Sequence, residues 1–262
     1  MAVTFPPTRT NAPGTTAAPA SYAAHTRAAT RIYGRDNTAV TALDAVDVGF
    51  EHAHFTAIMG PSGSGKSTLM HCVAGLDRLS SGETFIGDTS LAQLDERALT
   101  HLRRDHIGFV FQAFNLIPTL TAMENIELPL RLAGNRPDAE WVNHVIGAVG
   151  LGDRVAHRPN ELSGGQQQRV AVARALASQP AIIFADEPTG NLDSHTGHEI
   201  LAFMRRAVDE MQQTIVMVTH DATAASFADR VVFLADGRVA GETSDRSADG
   251  IHDELRALTG GK

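Results

Sequence analysis

A glycine-rich stretch in the N-terminal half of the chain has the composition and spacing of a phosphate-binding loop. It matches the pattern GxxxxGK[ST], follows the apolar run 55–59 and precedes a segment with apolar residues at helical spacing. Glycines let such a loop turn tightly and aim its amides at phosphate oxygens, and the following helix adds its positive N-terminal end. The residues that we predict to bind nucleotide phosphates are Gly60, Pro61, Ser62, Gly63, Ser64, Gly65, Lys66, Ser67 and Thr68.

Two residues of this loop have distinct predicted roles. Lys66 would bridge the outer phosphates, and the Ser67 hydroxyl would bind Mg²⁺. The chain has 22 basic residues, and all of them except Lys66 and Lys262 are arginine. A compact ammonium group can enter a cradle of backbone amides that a planar guanidinium cannot. The lysine therefore favours a working phosphate loop over a chance glycine turn.

Two adjacent acids, Asp186 and Glu187, follow the apolar run 181–185. A buried parallel strand would deliver both carboxylates to the carboxyl edge of a sheet, where ligands of such folds bind. Asp186 would hold Mg²⁺, directly or through water, and Glu187 would polarise the water that attacks the phosphate. The alternative is that one of these acids only caps the turn before Pro188.

A second glycine loop lies between the phosphate loop and the acid pair. It has the sequence Leu-Ser-Gly-Gly-Gln-Gln-Gln-Arg at positions 162–169, and a helix is predicted after Gly165. Alone, it would be read as a Gly-Ser turn before a helix. Two loops that can read phosphate in one chain suggest that two copies close around ATP. ATP-driven movement applied to a partner is therefore the leading hypothesis.

Together these motifs strongly resemble the ATPase subunit of an ATP-binding-cassette (ABC) transporter. The resemblance covers about residues 31–240, and the order of phosphate loop, Gln112, second loop, acid pair and His220 matches the family throughout. It implies ATP and Mg²⁺ as cofactors and a homodimer in which the second loop, the family's signature, contacts the ATP bound to the opposite subunit. The signature residues with this implied role are Ser163, Gly164, Gly165 and Gln166.

The resemblance also implies roles for four residues outside these loops. Gln112 would touch Mg²⁺ or the attacking water, and His220 would contact the γ-phosphate and steady Glu187. Asp193 would be a polar contact across the dimer interface, unless it is simply a helix cap. Tyr33 lies where the family places an aromatic ring against adenine, although a packed edge aromatic is a competing reading. The implied catalytic set thus joins Gln112, Glu187 and His220 to the lysine of the phosphate loop.

Alternating strands and helices must position these residues, which implies a parallel sheet covered on both faces. We predict an α/β fold with a phosphate-loop NTPase (RecA-like) parallel sheet core, an antiparallel β subdomain and an α-helical subdomain inserted at about 113–165. Prolines at 118, 129, 137 and 159 interrupt the helices of that insert. Strands are predicted at 40–50, 55–59, 82–86, 107–111, 181–185, 214–219 and 231–234, and helices at 67–76, 91–104 and 195–212. Asp236-Gly237 predicts a hairpin turn.

The domain limits follow composition. Residues 31–242 are expected to form the ATPase domain and residues 243–262 a short polar C-terminal tail. Residues 1–30 are rich in Ala, Thr and Pro and contain no acid, which favours a disordered tail over a transit peptide.

Composition narrows the functional classes. The net charge of -8 argues against a nucleic-acid partner, because such proteins normally have a basic face. No apolar run approaches the roughly 18–20 residues of a membrane span, so another chain must supply any membrane permease. Cys72 is the only cysteine, which indicates a reducing compartment. Together with these points, the resemblance to ABC transporter ATPases implies a location at the cytoplasmic face of the cell membrane.

Finer resemblances suggest a branch of the family. The segments 74–77, 111–118 and 121–130 look like lipoprotein-releasing, macrolide-export and cell-division ATPases, which work beneath permeases with few spans. An export or force-transmitting function is therefore expected. A small-solute importer ATPase and a subunit that regulates an extracytoplasmic wall hydrolase through its permease stay open as alternatives.

Overall fold

The computed structural model describes residues 22–259, and it contains one six-stranded and one four-stranded sheet. The strands are β1 Tyr22–Tyr33, β2 Val40–Glu51, β3 Phe55–Met59, β4 Ser81–Ile86, β5 Thr89–Ser90, β6 Ile107–Phe111, β7 Ile182–Asp186, β8 Ile215–Val218, β9 Arg230–Ala235 and β10 Arg238–Thr243. The helices are α1 Lys66–Val73, α2 Glu96–His106, α3 Ala122–Leu132, α4 Ala139–Ala148, α5 Gly164–Ala177, α6 Ser194–Met211, α7 Ala222–Ala225 and α8 Ala248–Thr259.

The larger sheet has the strand order β10-β9-β3-β8-β7-β6. All its neighbours are parallel except the β9–β10 hairpin. The residues of β3 and β8 are buried throughout, as expected for strands with both faces covered. The pairing of β6 with β7 ends at Phe111 opposite Asp186, so the predicted site residues that follow these two strands emerge side by side. The predicted parallel core is confirmed.

The smaller sheet is antiparallel and has the order β2-β1-β4-β5. Its strand β1 lies between β2 and β4 and buries the side chains of Ala23, Ala24 and Ala29. The prediction of a disordered tail is therefore wrong for residues 22–30, while residues 1–21 lie outside the described part. Composition misled here because small alanine and threonine side chains suit the close packing of a central strand and also resemble a disordered segment.

The C-terminal segment also differs from the prediction. Residues 248–259 form α8, whose Ile251 is fully buried and whose Leu255 and Leu258 pack on the main core. The expected tail is therefore a packed amphipathic helix over most of its length. Its polar residues occupy the outer face, which is why composition alone suggested a tail.

Helices α3 and α4 lie between β6 and α5, inside the span predicted for the helical insert. Asp138 caps α4 through the backbone amides of Glu140 and Trp141. Pro129 lies within α3 rather than ending it. Among the described residues, the structure contains no helix of the length and apolarity that crossing a membrane requires.

Most element limits agree with the sequence pattern. The predicted hairpin at Asp236-Gly237 is confirmed, and both turn residues have positive φ, of 48° and 77°. The single helix predicted over 91–104 is instead a short 3-10 turn, Leu91–Gln93, followed by α2. The break arises because the Asp95 carboxylate accepts a hydrogen bond from the amide of Ala98 and caps α2 at a new start.

Candidate functional site

The predicted phosphate loop connects β3 to the N-terminus of α1 at the carboxyl edge of the larger sheet. Its first glycine, Gly60, has φ of 152°, and a Cβ there would lie 2.0 Å from the carbonyl oxygen of Leu234. Only glycine fits this position. The loop borders a cleft of about 320 Å³ whose lining residues are Ala42, Ser62, Gly63, Gly65, Lys66, Ser67, Thr68, Glu187 and Val218.

The Lys66 ammonium group lies folded over its own loop. Its Nζ donates hydrogen bonds to the carbonyl oxygens of Gly60, at 2.9 Å, and Pro61, at 2.8 Å. Burial lowers the pKa of Lys66, and the negative charges of Glu187 and Asp186 oppose that shift. The loop thus holds a half-buried cation beside two acids, and a phosphate group can compete for its hydrogens.

Asp186 ends β7 beside the loop, and its carboxylate hydrogen-bonds to the Ser67 hydroxyl. Burial raises the pKa of Asp186, the nearby Glu187 carboxylate raises it further, and His71 and Lys66 oppose the rise. A carboxylate and a hydroxyl are hard oxygen ligands of the kind that Mg²⁺ takes together with water and substrate phosphates. The pair therefore fits the predicted ion. Among residues 22–259, no cluster of three or more His, Cys, Asp or Glu side chains could hold a metal on its own.

Glu187 and His220 contact each other directly. The Nδ1 atom of His220 lies 2.8 Å from Oε1 of Glu187. A carboxylate can only accept, so His220 donates its Nδ1 hydrogen. The side chain of Glu187 is 22% exposed and that of His220 is 76% exposed, so the carboxylate faces the cleft while the imidazole faces solvent.

Residues 112–115, which follow β6 and are called the Gln112 turn below, are hydrogen-bonded to the loop that precedes α6. Gln112 Nε2 donates to the Oδ1 atom of Asn191 at 3.1 Å, and Asn191 Nδ2 donates back to the carbonyl oxygen of Gln112 at 2.9 Å. Gly190 allows this approach, since a Cβ there would lie 2.7 Å from Gln112 Nε2. Gln112 itself is exposed and is absent from the lining of the cleft.

The signature forms the N-terminus of α5 and is stabilised by a capping box. The Ser163 hydroxyl accepts from the amide of Gln166 at 3.3 Å, and the Gln166 side chain accepts from the amide of Ser163 at 2.9 Å. Ser163 is exposed, and Gly164 lies against Leu192 and Phe114. None of the four predicted signature residues lines the described phosphate cleft. Within one chain the signature and the phosphate loop therefore form separate surfaces.

Two further predicted residues have structural partners. Asp193 caps α6 by accepting from the amide of Thr196 at 3.0 Å and from its hydroxyl at 2.6 Å, and these bonds lower the pKa of Asp193. The Tyr33 hydroxyl donates to Asp77 at 2.6 Å, and the Arg31 guanidinium lies 4.5 Å from the centre of the ring. Tyr33 does not line the cleft, so its contact with adenine stays a prediction.

Sequence reasoning missed the anchoring side chains behind the site. Gln168 and Arg174 of α5 both donate to backbone carbonyl groups of the loops that carry predicted site residues. Gln168 is fully buried in a helix whose buried face is otherwise formed by apolar side chains such as Val172 and Ala175. A polar residue within an apolar helical stripe was the available signal.

Comparison with known proteins agrees with this geometry. A family model described as "ABC transporter" matches residues 43–190. An uncharacterised ABC transporter ATP-binding protein of Methanocaldococcus jannaschii, MJ0796, is 46% identical over 84% of this chain and 96% of its own length. The macrolide export ATP-binding/permease protein MacB of Vibrio parahaemolyticus is 42% identical over 82% of this chain, which spans 33% of that longer protein.

Solved structures give the same result. A dimeric structure of the ATP-binding cassette MJ0796 in a post-hydrolysis state, bound to ADP and Pi, superimposes with a TM-score of 0.76. It is 43% identical to this chain and the match covers 84% of this chain and 98% of that one. The sequence motifs, the parallel sheet core and these similarities lead to one conclusion. The chain belongs to the ABC transporter family and is its ATP-binding, ATP-hydrolysing domain.

Proposed function

We propose that two copies of this chain bind two ATP·Mg²⁺ between them and that their closure drives a membrane permease supplied by another chain. The observation that carries this proposal is that the phosphate loop and the signature, each predicted to bind phosphate, lie on separate surfaces of one chain. The cleft contains the phosphate loop and Glu187, while the signature end of α5 lies outside it and exposes Ser163. A second copy can bring its signature over the first copy's cleft.

The relatives support this arrangement. The MJ0796 cassette has been solved as a dimer, and one such structure holds ADP and Pi. The MacB relatives carry both an ATP-binding and a permease part in their names, and this chain covers about a third of their length. We infer that this chain likewise works with a membrane permease, which places it at the cytoplasmic face of the membrane.

The phosphate loop and Asp186 would hold the nucleotide. Lys66 would exchange its loop carbonyl partners for the outer phosphate oxygens. Its Nζ already lies in the loop, at hydrogen-bond distance from those carbonyl oxygens. Ser67 and Asp186 would hold Mg²⁺ together with Gln112. The bound ion would neutralise charge on the phosphate oxygens. Tyr33 would offer the face of its ring opposite Arg31 to adenine.

Glu187 would act as the base of the reaction. Its carboxylate borders the cleft, where it can accept a hydrogen bond from the attacking water and polarise it. The bond from His220 Nδ1 would fix the orientation of that carboxylate, and the same imidazole would contact the γ-phosphate. The signature of the second copy would add the N-terminal end of α5, through Ser163, Gly164, Gly165 and Gln166.

Closure would be transmitted through the Gln112 turn. This turn is bonded to Asn191 two residues before Asp193, and Asp193 belongs to the proposed dimer contact. ATP that contacts both chains only in the closed state has different affinity for the open and closed states, and this difference drives closure. We infer an export or force-transmitting complex of the macrolide-export and lipoprotein-releasing type.

A pull-down tests the permease assignment. The Glu187→Gln chain, purified by affinity from detergent-solubilised membranes with ATP, should bring down an integral membrane protein, and the yield should fall when ATP is omitted. Lys66→Ala is the matched control, because it should lose the nucleotide and hence the ATP dependence. Recovery of a many-spanned importer permease would overturn the export assignment. Recovery of no membrane protein in any nucleotide state would overturn the permease proposal itself.

A further inference from the structure

Gln168 is the last of three consecutive glutamines in the signature, and it lies fully buried in α5. Its Nε2 donates to the carbonyl oxygen of Pro188 and to that of Phe111, the latter at 3.5 Å. Its Oε1 atom is buried without a donor among the described residues. The amide of Gln168 is therefore oriented entirely by its two donor hydrogens, and both go to backbone carbonyl groups.

These two carbonyls flank the proposed reaction centre. Pro188 directly follows Glu187, and Phe111 directly precedes Gln112. The pairing of β6 and β7 ends at Phe111 opposite Asp186, so backbone groups just past it need donors from elsewhere. The side-chain amide of Gln168 carries two hydrogens and can donate one to each of these carbonyl oxygens.

Glu187 depends on such external support because its backbone is strained. Its φ is 47°, in the left-handed region that a non-glycine residue holds only when its surroundings enforce it. On one side, the Glu187 amide donates to the carbonyl oxygen of Val218 at 2.9 Å. On the other side, Gln168 holds the next carbonyl, that of Pro188. The backbone that carries the carboxylate is thus fixed at both flanks.

The same helix anchors the rest of the Gln112 turn. Arg174 donates to the carbonyl oxygens of Phe114, at 3.0 Å, and Asn115, at 2.6 Å. Phe114 and Asn115 also have positive φ, of 57° and 50°. Helix α5 therefore begins at the signature and continues as the support for the two turns that leave β6 and β7.

We propose that Gln168 is a positioning residue that sets the Glu187 carboxylate and the Gln112 turn relative to the signature helix. In the proposed dimer, the signature end of α5 contacts the nucleotide bound to the second copy. The same helix, through Gln168, positions the Glu187 carboxylate of its own subunit. Each ATP site would thereby be linked to the other through one buried amide. This inference rests on the proposed role of Glu187.

The chain contains a matched control at the opposite edge of the sheet. Gln213 is also buried, and its Nε2 donates to the carbonyl oxygens of Pro180, at 3.0 Å, and Thr214, at 3.3 Å. Pro180 precedes β7, just as Pro188 follows it. A substitution of Gln213 therefore removes the same kind of interaction at the starts of β7 and β8, and Gln213 does not line the cleft.

The test compares Gln168→Met with Gln213→Met in the purified chain, with ATP·Mg²⁺ as substrate. Gln168→Met should lower kcat roughly tenfold to hundredfold, as small displacements of reacting groups do, while its Kd for ATP stays that of the wild type. Gln213→Met should lower the melting temperature. At temperatures below its unfolding transition, its kcat should equal that of the wild type. Equal kcat in the two variants would overturn the proposal, and so would a loss of ATP affinity in Gln168→Met that accounts for the lost rate.

If Gln168→Met does not fold, Gln168→Glu provides a second test through the pH dependence of kcat. A buried carboxyl group between two carbonyl oxygens has a raised pKa, and only its protonated form can donate. The ratio of the kcat of Gln168→Glu to that of the wild type should therefore rise as the pH falls from mildly alkaline to mildly acidic. A ratio that does not change with pH would contradict the positioning role.

Glu187→Gln in the same assay separates this inference from the proposed mechanism. Wild-type turnover in that variant would remove Glu187 from the reaction, and with it the role on which this inference rests, while the proposed ATP-driven closure would stand. If Glu187→Gln abolishes turnover while Gln168→Met hydrolyses ATP as the wild type does, the mechanism stands and only the positioning role of Gln168 fails.

Discussion

The phosphate cleft and the signature end of α5 are two candidate anion-binding surfaces that differ in how much of their environment one chain supplies. The cleft is lined by Lys66, Ser67 and Glu187, and Asp186 is bonded to Ser67 beside it; burial lowers the pKa of Lys66 and raises that of Asp186. The signature end is exposed, and the hydroxyl of Ser163 is occupied by a local cap. Beside it, Asp193 has its pKa lowered by hydrogen bonds rather than shifted by burial.

This contrast indicates that the two surfaces contribute differently to nucleotide binding and to closure. A cleft that already gathers a cation, a hydroxyl and two carboxylates can bind a nucleotide by itself. A helix end without charged side chains contributes its dipole, its amides and the Ser163 hydroxyl, which are worth most when the partner anion is held close and dry. We therefore expect nucleotide affinity to depend on the cleft and closure to depend on the signature.

The largest effect is expected from Glu187→Gln. An amide cannot accept the proton of the attacking water, so kcat should fall by about 10²–10⁴-fold, the usual contribution of a general base. ATP affinity should stay close to that of the wild type, because the amide keeps the shape of the carboxylate. Steady-state hydrolysis and equilibrium nucleotide binding measure the two quantities. Turnover within a few-fold of wild type would exclude Glu187 as the base.

The next effect concerns Lys66 and sharpens the role of the cleft. Lys66→Ala should weaken ATP binding by about a hundredfold or more, as expected when one partner of a buried charge pair is removed. Lys66→Arg keeps the charge but replaces a compact ammonium with a planar fork that does not fit the loop. It should bind ATP nearly as poorly as Lys66→Ala. Isothermal titration with ATP checks both, and wild-type affinity in Lys66→Arg would show that charge alone suffices.

A smaller effect separates the signature from an ordinary helix cap. Ser163 and Thr121 form matching capping boxes, with amide-to-hydroxyl distances of 3.3 and 3.2 Å. Each serine or threonine to alanine change should cost about 1 kcal/mol of unfolding free energy. Only Ser163→Ala should also reduce ATP-dependent association and turnover. Denaturant melts and light scattering measure these effects, and equal association in both variants would reduce Ser163 to a structural cap.

The smallest effects are shifts in pH-dependent stability without nucleotide. Because the folded-state pKa of Asp186 is raised, its ionised form costs stability at neutral pH, and that cost disappears as the pH falls through this raised value. Asp186→Asn should therefore raise the melting temperature at neutral pH, and the gain should shrink in acid.

Asp193→Asn is the control of opposite sign. The folded-state pKa of Asp193 is lowered, so its stabilising contribution is present above the ordinary aspartate range and is lost as the pH falls through the lowered value. This variant should melt below the wild type at neutral pH and approach it in acid. Thermal melts over a pH series test both changes, and shifts of the same sign would contradict the assigned environments.

The sequence named candidate site residues several of which the structure brings together at one cleft, whereas it predicted the elements that hold them less completely. Phosphate recognition needs glycines, a lysine and a hydroxyl at fixed spacing, so Gly60, Lys66 and Ser67 could be named from the chain alone. The limits of β3 and β6 were also predictable, since short apolar runs bounded by turns are typical of buried parallel strands.

The remaining features depend on tertiary contacts that no local pattern records. Strand β1 is rich in alanine and threonine and acquires its order from β2 and β4. The bond between Gln112 and Asn191 joins residues 79 positions apart. The bonds of Gln168 join its helix to the ends of two different strands, so the signature suggested a phosphate contact there and nothing more.

The claim that the two surfaces meet only across two chains is tested most directly by sedimentation velocity of the Glu187→Gln chain. With ATP and Mg²⁺ it should sediment as a dimer, and without nucleotide as a monomer. Adding Lys66→Ala should abolish the dimer by removing the nucleotide. Adding Ser163→Arg should abolish it while ATP binding to the single chain persists. A Ser163→Arg chain that still dimerises fully with ATP would contradict the account.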